Sequence, residues 1–155
     1  MSLDSTVVQI IVDNGVGVPE FNVLDLTRFS KLESLVIGDN CFSYVEEVKL
    51  IGLNELESVE IGMNSFTQHK NDAGNDPNRH FYLKDCPSLK SLRMGRNSFS
   101  DYTVCEIENV NALETIEMGE LNGSQFRQVY PITHITINHS QTLHENTKGM
   151  QQHQT

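Results

Sequence analysis

The chain has 155 residues, of which 37% are apolar, and a formal net charge of −10. That length suits one domain, and the acidic balance excludes a nucleic-acid surface, which needs clustered Lys and Arg. It disfavours an anionic membrane equally, and no stretch reaches the length of a spanning helix.

The opening Met1-Ser-Leu-Asp4 lacks the charged-then-apolar pattern of a secretory leader. Val7, Ile10 and Val12 then form a first apolar set, followed by Gly15. Leu24-x-Leu26 follows, with Phe29 three residues later. Next comes Leu32-Glu-Ser-Leu35-Val-Ile37-Gly38-Asp-Asn40-Cys-Phe42, and the pair Val48-x-Leu50 with Leu53. The same phrase returns as Leu56-Glu-Ser-Val59-Glu-Ile61-Gly62-Met-Asn64-Ser-Phe66 and as Leu89-Lys-Ser-Leu92-Arg-Met94-Gly95-Arg-Asn97-Ser-Phe99. Between these lie Phe81-x-Leu83 and Cys86; after them come Cys105-x-Ile107 and Val110. A looser fourth copy runs Leu113-Glu-Thr-Ile116-Glu-Met118-Gly119, with Leu121 in the asparagine position. Ile135, Ile137, Leu143 and Gly149 keep the spacing while the sites between them turn polar. From Glu145 onward the composition predicts disorder.

Self-similarity at a fixed period implies units that bury their apolar faces against one another. Leu32 to Leu56 is 24 residues, Leu56 to Leu89 is 33, and Leu89 to Leu113 is 24 again. One unit thus carries nine surplus residues, placed between Phe66 and Phe81. Alternation over short spans with β-branched and aromatic types predicts strands, and no stretch has a sustained helical period. The glycine after each phrase serves either a positive φ or a tight approach of stacked backbone.

The frame L-x-x-L-x-L-x-x-N-x-L resembles that of the leucine-rich-repeat family over nearly the whole chain. The resemblance implies a mainly β, right-handed leucine-rich-repeat solenoid with a concave parallel sheet, short extended convex segments and little helix. It implies that Asn40, Asn64 and Asn97 point inward and bond loop backbone, a ladder ending at Leu121. A single domain over 1–150 follows, with 7–31 as an incomplete first turn. Residues 32–126 are four units with an insert at 68–80, 127–150 a degraded last repeat or cap, and 151–155 a disordered tail.

Outward positions of the strands would form the concave face. Glu57 and Glu60, then Lys90, Arg93 and Arg96, then Glu114 and Glu117 make one basic rung between two acidic ones, with each neighbour roughly 4.8 Å away. Such a face suits protein docking, and the same charges fix strand register. The insert, rich in Asn, Asp, Gly and Pro, predicts an exposed loop. Its His69, Asp72, Asp76 and Arg79 are further candidates for contacting a partner. His69, Asp72, Asp76 and His80 fit neither an EF-hand nor a zincin frame, so no metal is expected.

No phosphate loop, nucleophile elbow or paired-cysteine motif occurs, so neither catalysis nor a cofactor is expected. The three cysteines fall at separate repeat positions, as in a reducing compartment such as the cytoplasm. The sequons at Asn122 and Asn138 matter only in a secreted protein. The predicted function is a non-catalytic scaffold for a protein partner. The alternative is self-assembly through the solenoid ends, where Val7–Val12 is apolar.

Overall fold

The computed structural model describes residues 6–68, 76–118 and 135–136, with backbone alone at 76–77, 118 and 135–136. Among these residues the regular structure is all strand: β1 (Gln9–Val12), β2 (Val23–Asp25), β3 (Ser34–Ile37), β4 (Glu47–Ile51), β5 (Ser58–Ile61), β6 (Asp76–Lys84), β7 (Ser91–Met94), β8 (Tyr102–Glu108), β9 (Thr115–Met118) and β10 (Ile135–Thr136). The odd strands form one five-stranded sheet in the order β1-β3-β5-β7-β9, and the even strands a second, β10-β8-β6-β4-β2. Every pairing is parallel. Successive strands alternate between the sheets.

Register follows the sequence spacing. In the first sheet Ile10, Leu35, Val59, Leu92 and Ile116 share a row, and Val12, Ile37, Ile61 and Met94 share the next inward one. In the second sheet Leu24, Val48, Phe81 and Cys105 are aligned, with Ile135 beside Cys105. The inward faces of both sheets meet in one core, where Phe42, Phe66 and Phe99 are buried. Phe66 lies flat on Phe99, with ring centroids 4.7 Å apart, and Phe42 follows at 5.4 Å from Phe66.

Two expectations are corrected here. The second sheet is not short throughout: β2 and β4 have three and five residues, but β6 has nine and β8 seven, against four in β3, β5 and β7. The insert is not an exposed loop throughout, because Asp76 to His80 belong to β6, with a register shift between those two residues. Arg79 is only 2% exposed and lies 3.7 Å from the carboxylate of Asp101, itself 1% exposed. Its Nη1 donates to the carbonyls of Ser43 and Val45, and its Nη2 to Oε1 of Gln68 at 2.6 Å. The Gln68 backbone N–H in turn donates to Asp101 Oδ2. A guanidinium can enter the core because two carbonyls and an amide oxygen accept from its fork of donors and a carboxylate lies beside it.

The turns after the first-sheet strands divide their labour in an unexpected way. Asn40, Asn64 and Asn97 adopt φ of 57°, 59° and 65°, and Asn97 donates its amide to the Asn64 side chain at 2.9 Å. Asn40 is exposed. The inward bonding to loop backbone instead belongs to the next residue. Cys41 Sγ, Ser65 Oγ and Ser98 Oγ donate to the carbonyls of Asp13, Gly38 and Gly62, one turn earlier in each case. Gly38, Gly62 and Gly95 serve close stacking rather than positive φ. A Cβ on Gly62 would lie 2.6 Å from the Gly38 carbonyl carbon, and one on Gly95 2.6 Å from that of Gly62.

Candidate binding face

On the outer surface of the first sheet, strand alternation turns two rows to solvent. One runs Gln9, Ser34, Ser58, Ser91 and Thr115; the other runs Ile11, Val36, Glu60, Arg93 and Glu117. A third row precedes the strands. Glu57 N–H donates to the Glu33 carbonyl, Lys90 to Glu57, and Glu114 to Lys90, at 2.8–2.9 Å. The short Ser/Thr row therefore lies between two rows of charge.

Arg93 stands in register between Glu60 and Glu117. Its Nε reaches Glu117 Oε2 at 2.8 Å. The basic rung thus leans toward β9, and Glu60 keeps an exposed carboxylate beside β3. A depression of about 340 Å³ opens here, lined by Asp39, Glu60, Met63, Arg93, Arg96 and Glu117. The backbones of Gly62 and Gly95 contribute to its wall. Asp39 is anchored, because its Oδ1 accepts from Met63 N at 2.8 Å.

The structure thus gathers Glu60, Arg93, Arg96 and Glu117 around one depression and sets Glu57, Lys90 and Glu114 along its flank. Asp39, absent from the sequence-based candidates, joins them. The signal for it was its place in the phrase: Asn14, Asp39, Met63 and Arg96 all occupy the position one past the glycine row. Of the insert candidates, Arg79 is corrected to a core residue, inaccessible to a partner. Asp76 contributes backbone to β6, and His69 and Asp72 lie outside the described residues.

The outer face of the second sheet was not anticipated as a regular surface. It aligns Asp25, Lys49, Tyr82 and Glu106 in one row. Its two lysines are engaged within the face, Lys49 with Glu47 at 3.0 Å and Lys84 with Glu106 at 2.5 Å. The bond to Glu106 raises the Lys84 pKa, and burial beside Glu106 raises that of Tyr82. Both lysines of this face are thus already paired.

On the outer face of the second sheet the Tyr82 hydroxyl lies 3.1 Å from His80 Nδ1, and burial beside Glu106 keeps that phenol protonated. Burial pushes the Cys86 and Cys105 thiols up, away from thiolate character. Among the described residues no three His, Cys, Asp or Glu side chains cluster as metal ligands, and no helix is long and apolar enough to cross a membrane. Comparison with family models, with curated proteins and with solved structures gave no match.

Proposed function

We propose that this chain is a non-catalytic scaffold, a right-handed solenoid of the leucine-rich-repeat kind, that binds a protein partner through the outer face of its first sheet. The observation that carries the reading is the in-register rung Glu60–Arg93–Glu117 beside an open depression. Parallel, in-register strands hold these charges at fixed spacing, so a partner meets a preformed pattern and little ordering entropy is lost on binding. The alternation of the chain between two parallel sheets at a 24-residue spacing supports the solenoid. The second sheet competes poorly as the docking face, because its lysines are committed to their own neighbours.

The test is affinity capture with the full chain, followed by mass spectrometry, using Glu60→Lys and Glu117→Lys together. The expected result is loss of the captured protein with unchanged circular dichroism. The paired control, Lys49→Glu on the second sheet, should keep it. Capture that survives the first change and fails with the second would move the site to the other face.

A further inference from the structure

Among the described residues, each sheet begins with a strand paired on one side only. β1 is the terminal strand of the first sheet and β2 that of the second. Natural edge strands are usually blunted by lysine, proline, a bulge or a covering segment. β1, Gln-Ile-Ile-Val, has no charged residue and no proline, and its pairing with β3 runs without a register shift. Its backbone is also poised for a neighbour. The Val8 and Val12 carbonyls accept from Ser34 and Gly38. Even-numbered groups of β1 therefore face β3, and alternation turns the N–H and C=O of Gln9 and Ile11 to the open side.

The side chains there agree. Among the described residues, six of the eight exposed large apolar side chains are Val8, Ile11, Val16, Val18, Phe21 and Val23. Ile11 is 63% exposed and Val8 50%. Ile10 and Val12 are only partly buried, although they pack on the core. Residues 6–23 carry just two charges, Asp13 and Glu20, in a chain whose net charge is −10. Repulsion between copies is therefore low here.

We propose that two copies of this chain join edge to edge, β1 pairing antiparallel with β1 of the second copy about a two-fold axis normal to the sheet. Gln9 of each copy then lies opposite Ile11 of the other, exchanging both backbone bonds, and Ile10 meets Ile10 of the second copy on the core side. An axis normal to the first sheet also passes through the sheet packed beneath it, so the β2 edges are brought toward each other by the same operation. The charge pattern favours a second copy over head-to-tail growth. Addition of β9 from another copy, in the register that β7 shows, would set Ile11 beside Glu117, whose carboxylate is held by Arg93. A two-fold contact uses one self-complementary patch and closes at two copies.

Sedimentation equilibrium and light scattering on the full chain across a concentration series test this. The expected mass is twice the 17.5 kDa of one chain, falling to one chain in Ile11→Lys with unchanged circular dichroism. Gln9→Pro removes one outward N–H and should also halve the mass; Val8→Lys substitutes if either variant misfolds. The Glu60→Lys/Glu117→Lys protein should remain a dimer. A wild-type protein that stays monomeric at millimolar concentration overturns the proposal. So does mass that grows beyond two copies, or a dimer that persists in well-folded edge variants.

Discussion

Within each phrase, Phe and Gly meet different backbone demands. Phe42, Phe66 and Phe99 take φ between 53° and 59°, a region that costs a residue with a Cβ roughly 1–2 kcal/mol. Burial of the rings and their mutual stacking, worth about 0.5–1.5 kcal/mol per pair beyond burial, offset that strain. The glycines divide by cause. Gly62 is fixed by a neighbour's backbone, whereas Gly52 (φ 70°) has open space and occupies the place held by Asp85 and Asn109 in later turns. Urea melts should therefore separate the two. Gly62→Ala should lose at least the ~1–3 kcal/mol typical of overpacking, while Gly52→Asn should change stability by less than about 1 kcal/mol. Equal effects would contradict the stacking account.

For the elements, the deciding contacts are those between neighbouring strands. β6 and β8 are lengthened where the buried Arg79–Asp101 pair fastens the returning chain to the core. Arg79→Met should cost about 3–5 kcal/mol, because it strands a buried carboxylate; a cost under 1 kcal/mol in a urea melt would mean the segment is not anchored there. Arg93→Glu would line up three carboxylates across β5, β7 and β9. The loss should be modest, about 0.2–1 kcal/mol for the exposed pair, and should shrink as salt shortens the Debye length. Thermal melts at low and high salt read the difference. The inward rows were legible in the sequence because alternation and the 24-residue spacing reinforce each other at every turn. The strands of the second sheet were less so: a motif such as Val48-x-Leu50 gives only two inward positions from which to judge length. The insert misled because Asn, Asp, Gly and Pro are local turn signals, whereas Arg79 is held by carbonyls of Ser43 and Val45, more than thirty residues earlier. The charged rungs could be read from spacing. The choice of Glu117 over Glu60 by Arg93 could not, since both carboxylates flank it equally in register.

At the scale of the whole molecule, the two faces and the two sheet edges have different chemistry. The first sheet offers patterned charge beside a depression, the second a surface whose lysines are paired, and the β1 edge an apolar strand. Docking on one face and pairing at the edge are compatible, since Glu60 and Arg93 lie two and three strands away from that edge. The central claim is that a protein partner lies on the first sheet, and site-specific photocrosslinking measures this most directly. A photoreactive residue replacing Met63, exposed beside the depression, should give a covalent adduct with the captured partner, while one replacing Lys49 should give none. An adduct formed only from position 49, or equal adducts from both, would contradict the assignment of the binding face.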